Sequence, residues 1–184
     1  MSFVVARRAM ILAALSLAAF APASTGLAHG PSRQKVTETI EIAAPAEKVW
    51  AIVGNFQDLS WLPPVAKTEG AGGNEPGKAT RHITLKNGGE IDELLTKYDA
   101  ADFSLAYRIE KVDVKVLPVN NYSSTMTVKP QGDKSVVEWK GAFYRGYPNN
   151  DPPPELSDEA ALAAITGLYK SGLAALKEKV ESGK

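Results

Sequence analysis

The 184-residue sequence contains no cysteine and only two histidines, His29 and His82. Without cysteine the fold has no disulfides to lean on, and its stability must come from packing. No G-x-S-x-G nucleophile motif occurs. A Ser-His-Asp arrangement would have to use His82, which sits in the alternating run `TRHITL` as an ordinary strand position. His29 has no third ligand to complete a metal site with it and His82, so neither a metal nor a cofactor is expected. Charge of one sign is also missing, with 21 basic against 21 acidic residues. No acidic residue precedes Glu38, so loss of Arg7 and Arg8 would leave the rest slightly acidic, which disfavours nucleic acid. The chain shows no internal repeat and no low-complexity segment.

The apolar run Ala9–Phe20 is shorter than the roughly 20 residues a membrane-spanning helix needs. It follows Arg7-Arg8 and leads to the small-residue exit Gly26-Leu27-Ala28, the layout of a secretory signal peptide. Residues 1–28 are expected to be cleaved, leaving 29–184 as one periplasmic domain with its own core.

Beyond that exit the signals alternate between strand and helix. `KVTETIEI` places Val36, Ile40 and Ile42 on one face of a strand. In `APAEKVWAIVGNF`, Pro45 suits a helix start, Val49, Trp50 and Val53 form an apolar face, and Gly54-Asn55 ends it. `QDLSWLPPV` allows one more helical turn before Pro63-Pro64. Strand-like runs flank Asn87-Gly88, a strong hairpin signal. Phe103, Leu105, Tyr107 and Ile109 alternate before Pro118. Two further strands turn at Pro130–Asp133, the second carrying Val137, Trp139 and Phe143 on one face. Ser157 caps a long helix whose apolar positions run Leu162, Ile165, Leu168 or Tyr169, Leu173, Leu176 and Val180. The order predicts an α+β domain in which a curved antiparallel sheet of about seven strands wraps a long C-terminal helix, with two short helices after the first strand.

The segment `TIEIAAPAEKVW` resembles the opening of the START/polyketide-cyclase-like (SRPBCC) superfamily, which implies the helix-grip fold. The signal peptide, `GNFQDLSWLPPVAKTEG` and `KVLPVNNYSST…GAFYRGYPNNDPPPEL` together resemble the MxaD-like periplasmic accessory proteins of bacterial methanol oxidation. That resemblance implies assistance to methanol dehydrogenase and its cytochrome c acceptor as partners. It carries no catalytic residues, and no enzymatic activity is expected. The other expected role is carriage of a hydrophobic small molecule in the helix-grip cavity.

Candidate cavity residues follow from strand parity and side-chain type. Glu38 shares the Val36/Ile40 face and Glu93 lies between Ile91 and Leu95. Each either projects into a cavity, where burial raises its pKa, or is returned to solvent by a bulge. Trp50, Trp61, Tyr107, Tyr122, Met126, Trp139 and Phe143 line a pocket or fill a core. `GGNEPGKA` lacks the hydroxyl residue of a phosphate loop and precedes a strand, so it is expected as a glycine-rich turn. In the helix-grip fold, `GYPNNDPPPEL` would lie at the pocket mouth. There Tyr144, Tyr147, Asn149, Asn150, Asp151, Pro152, Pro153, Pro154 and Leu156 either form a stiff partner-docking rim or merely direct the chain into the last helix. An apolar cavity would favour the carrier, and a filled interior with an apolar patch near Tyr147–Leu156 would favour the docking protein.

Overall fold

In the computed structural model, residues 30–183 are described; the expected signal peptide and His29 lie outside them. The alternating `KVTETIEI` forms β1 (Gln34–Ile42), with Val36 and Ile42 buried on its inner face. A helix α1 (Ala46–Val53) follows and buries Val49, Trp50 and Val53. Six strands then run in order: β2 (Val65–Ala71), β3 (Thr80–Leu85), β4 (Glu90–Asp99), β5 (Ser104–Val112), β6 (Val119–Gln131) and β7 (Lys134–Arg145). After a 3-10 turn at Pro154–Leu156, the long helix α2 (Asp158–Ser182) ends the fold.

The sheet order is β1-β7-β6-β5-β4-β3-β2, and every pairing is antiparallel. After β1 the chain therefore crosses to the far edge, and the meander brings β7 back beside β1. Register shifts place an extra residue on β5 at Glu110, on β4 between Leu95 and Lys97, and on β6 between Asn120 and Ser123. Such bulges bend a sheet, and this one curves around α2. The β3–β4 hairpin turns at Asn87-Gly88 as the sequence predicts, with Gly88 at φ 83° and its N–H donating to the Leu85 carbonyl at 2.9 Å.

Ser157 caps α2 by accepting from the Ala160 N–H at 3.2 Å. The helix buries Ala161, Ile165, Tyr169, Gly172, Leu173, Leu176 and Val180 against the sheet. Of the two alternatives at its centre, Tyr169 enters the core and Leu168 stays half-buried.

One expected element does not form. The second short helix is a series of turns. The Ser60 N–H donates to Asp58 Oδ1 at 2.7 Å, Leu62 to the Leu59 carbonyl, and Val65 to the Leu62 carbonyl. Pro63 and Pro64 supply no N–H to continue a helical ladder, so the segment becomes a cornered strap between α1 and β2.

The proline-rich connection into α2 is fastened from below. Buried Arg145 donates to the Tyr147 carbonyl at 3.0 Å, to the Asn149 carbonyl at 2.8 Å and to Asp158 Oδ2 at 2.8 Å. The Gly146 N–H donates to the Pro118 carbonyl at 2.8 Å, which seats the loop on the β5–β6 connection. `GGNEPGKA` is the β2–β3 turn, with Gly72, Gly73 and Gly77 all at positive φ.

Candidate functional site: an apolar cavity with a buried ion pair

Strand parity and the α1–β2 strap leave a cavity of about 270 Å³ between the sheet and α2. The strap contributes Leu59, Leu62, Pro64 and Val65, and β3 contributes Ile83 and Leu85. Ile91 and Ile109 add to the wall, and Val116 and Leu117 reach in from the β5–β6 connection. Ala164 and Leu168 of α2 close it from the helix side.

Its two charged wall residues are Arg81 and Glu93. They are register partners across β3 and β4, exposed by only 5% and 6%. Arg81 Nε donates to Glu93 Oε2 at 2.6 Å and its Nη1 to the Phe56 carbonyl at 2.9 Å. The guanidinium carbon lies 4.2 Å from the Phe56 ring centroid and 4.7 Å from that of Tyr107, so two aromatic faces hold it. Burial raises the Glu93 pKa, and the Arg81 charge and hydrogen bond pull it back down.

Behind the wall runs a hydroxyl network. Tyr169 Oη lies 2.6 Å from Tyr122 Oη and 2.9 Å from Ser124 Oγ. Trp139 Nε1 donates to Ser124 Oγ at 2.9 Å and to Tyr107 Oη at 3.2 Å. The Trp139 and Tyr169 rings stack with centroids 4.2 Å apart and an interplanar angle of 10°. Burial pushes all three phenols above the usual tyrosine range. They therefore serve as neutral hydroxyls, and the network orients the wall without adding charge to it.

Of the expected cavity residues, Glu93, Tyr107, Tyr122 and Trp139 line the space. The other five are placed elsewhere. Glu38 is half-buried on β1, 4.0 Å from Lys170 Nζ of α2. Trp50 packs with Tyr98 and Phe103. Trp61 leans on Trp139 at 5.8 Å between centroids. Phe143 stacks on Tyr122 from the core side, and Met126 is buried core. Glu93 points inward with Ile91 and Leu95, because the extra residue of the neighbouring register shift is Glu110 on β5 and leaves the alternation of β4 intact.

None of Tyr144, Tyr147, Asn149, Asn150, Asp151, Pro152, Pro153, Pro154 or Leu156 lines the cavity. Arg145 and the Pro118 carbonyl hold the loop on the β5–β6 connection, whose Val116 and Leu117 line the cavity. Tyr147 and Leu156 are half-buried against the protein itself, whereas Asn149, Asn150 and Asp151 are exposed. The residue most clearly missed from sequence is Arg81. It shares strand parity with Ile83 and Leu85, and that parity was the available signal.

His82 faces outward from β3, with Nδ1 2.6 Å from Asp92 Oδ1 and Nε2 3.9 Å from Glu90 Oε1. The hydrogen bond to Asp92 is the main cause of its raised pKa. The stabilisation from this pair is therefore complete below the unfolded histidine pKa and disappears as pH rises through the folded one. An NMR titration is expected to place the His82 midpoint above that of free histidine. Asp92→Asn should bring it down, and an unchanged midpoint would contradict the pairing. Among the described residues, no group of three or more His, Asp or Glu side chains could hold a metal ion.

Residues 33–181 match the profile of the family described as polyketide cyclase / dehydrase and lipid transport. The chain belongs to that family. Among solved structures it is similar to the protein XoxI from Bacillus cereus, at 31% identity and a TM-score of 0.66, covering 80% of this chain and 95% of that one. It is also similar to an uncharacterized protein from Bacillus thuringiensis, at 30% identity and a TM-score of 0.67, covering 80% and 99%. Norcoclaurine synthase from Thalictrum flavum shares the fold, at 20% identity and a TM-score of 0.62, covering 83% and 97%. An enzyme is thus among the proteins built on this scaffold. No curated protein matches the chain.

Proposed function

We propose that the protein binds and carries a small, mainly apolar molecule in the cavity beneath α2, that it works in the periplasm after its signal peptide is removed, and that it performs no chemistry on its cargo. The observation that carries this reading is the cavity itself: aliphatic walls, an aromatic back, a buried Arg81–Glu93 pair and Asn87 at the far end of β3. Concave, mostly apolar sites with few convergent polar groups are the usual form of small-molecule sites.

The test is titration of the purified protein with a neutral hydrophobic dye, N-phenyl-1-naphthylamine, beside an Ala164→Phe variant. Ala164 lies on the wall, and a phenyl ring there takes up much of the cavity. Saturable dye binding that weakens at least about tenfold in the variant, with circular dichroism unchanged, is the expected result. Equal binding by both proteins, or none by either, would sink the reading.

A second reading joins this one to methanol oxidation. The stretches that resemble MxaD-like proteins include Gly54–Gly70 and Lys115–Thr125. These supply Leu59, Leu62, Pro64 and Val65 from one side of the cavity and Val116, Leu117 and Tyr122 from the other. A partner that read those segments would meet the cavity wall, and methanol dehydrogenase or its cytochrome c acceptor would be that partner. Cytochrome c reduction by methanol dehydrogenase should then accelerate in proportion to added protein. An unchanged rate would leave the carrier reading alone.

A further inference from the structure

The two charged wall residues cancel each other, and that sets a condition on what the cavity accepts. We infer that the cargo is a neutral amphiphile whose head both accepts and donates a hydrogen bond, an alcohol or a carboxamide, and that carboxylates and amines are excluded. This deepens the carrier reading and rests on it.

A guanidinium carries five N–H donors and a carboxylate two acceptor oxygens. Arg81 uses Nε on Glu93 and Nη1 on the Phe56 carbonyl. Glu93 uses Oε2 on Arg81. Among the described residues, Arg81 Nη2 and Glu93 Oε1 have no hydrogen-bond partner. Donor and acceptor capacity thus remain on adjacent side chains, and both side chains line the cavity.

Charge then decides between heads. A carboxylate reaching Arg81 would also meet Glu93, and an ammonium reaching Glu93 would meet Arg81. Either would lose its water in a space whose fixed charges already sum to zero, and a buried charge without a dedicated partner is costly. A hydroxyl or carboxamide accepts from Arg81 and donates to Glu93 without bringing charge in. The head site is also held in place beforehand, because Arg81 is clamped between the Phe56 and Tyr107 rings.

The experiment is calorimetric titration of the wild-type protein at neutral pH with 1-octanol, octanamide, octanoate and octylammonium. The alcohol and the amide are expected to bind at least about tenfold more tightly than either ion, the consequence of leaving one buried polar group mispaired. Glu93→Gln leaves Arg81 as the only charge and should move octanoate to the top of the series. Arg81→Gln leaves Glu93 and should do the same for octylammonium.

If either single variant fails to fold, Arg81→Leu with Glu93→Leu removes both charges together, and the preference for octanol over octane should fall to that of a plain apolar site. Equal affinity for all four ligands, or a wild-type preference for octanoate, overturns the inference. Binding of N-phenyl-1-naphthylamine with no binding of any of the four also overturns it while leaving the carrier reading intact. Failure of the dye as well overturns the carrier reading itself.

Discussion

Replacing Arg81 by leucine lowers the unfolding free energy by about 3–5 kcal/mol at neutral pH, and replacing Glu93 by leucine as well restores most of it. The reason lies in what each change leaves behind. Arg81 and Glu93 are both almost fully buried and meet at 2.6 Å. Removing the arginine alone strands a carboxylate in an apolar wall. Removing both leaves two aliphatic side chains where an ion pair stood, a change that is often neutral or better.

The pH dependence of the single variant separates lost charge pairing from lost packing. Burial already raises the Glu93 pKa, and Arg81 is the group that pulls it down, so losing Arg81 raises it further. A carboxyl whose folded pKa lies above its unfolded value contributes stability that is complete below the unfolded pKa, near about 4.3. That contribution disappears as pH rises through the folded pKa. The deficit of Arg81→Leu against wild type is therefore largest at neutral pH and shrinks as Glu93 takes up a proton. Urea unfolding at pH values near neutrality and near the ordinary glutamate pKa checks this. A deficit of equal size at both, or one that the second substitution does not relieve, would mean that packing against Phe56 and Tyr107 outweighs the ion pair.

This pair also shows which parts of the molecule were legible from sequence. The sheet was legible because alternation is a local property. In `TRHITL` and `VEWKGAF` each residue's parity fixes its face, and Asn87-Gly88 fixes a turn. The long helix was legible from Ser157 to Val180 for the same reason. Glu93 was harder, because a bulge reverses parity, and where a bulge falls depends on a partner strand that the local sequence does not contain. Here the extra residue is Glu110 on β5, so β4 keeps its alternation and Glu93 points inward with Ile91 and Leu95. Arg81 was passed over because a lone arginine in a strand suggests solvent until its acidic register partner is known.

Aromatic type alone could not separate cavity wall from packed core. Tyr122 and Phe143 stack on each other, yet only Tyr122 reaches the space. The seating of the proline loop was not legible, because it depends on Arg145, whose contacts run to the backbone of Tyr147 and Asn149 and to Asp158. Nothing in `GYPNNDPPPEL` itself announces that buried clasp. The strap residues Leu59 and Leu62 were missed for a related reason. They were assigned to a helical turn, and the prolines instead bend them over the cavity.

Gly141→Ala should cost about 2–4 kcal/mol, a large effect for a single methyl group, and Tyr169→Phe on top of it should add little. Gly141 sits in β7 opposite Ser124 of β6 and Val36 of β1. Tyr169 reaches down from α2 and places its hydroxyl where a Cβ at position 141 would stand, well inside contact distance. The backbone at Gly141 is not in the left-handed region. Alanine is therefore conformationally acceptable there and would by itself be slightly favourable through the unfolded chain. The whole cost is steric, and it falls on a hydroxyl that cannot easily retreat. Tyr169 Oη is held by Tyr122 and Ser124, and its ring lies flat on Trp139.

Tyr169→Phe alone leaves the Tyr122 hydroxyl short of a partner, while Ser124 keeps the Lys140 carbonyl and Trp139 Nε1, and should cost about 1–2 kcal/mol. In the double variant the methyl occupies the space the hydroxyl left, so the pair should be less destabilised than the sum of the two singles by about 1–2 kcal/mol. Urea unfolding of the two single variants and the double measures that coupling. Strict additivity would show that the hydroxyl does not fill the place of the missing side chain. Because the same network positions Tyr122 and Trp139 on the cavity wall, Gly141→Ala should also weaken dye binding, which ties the stability of the core to the shape of the site.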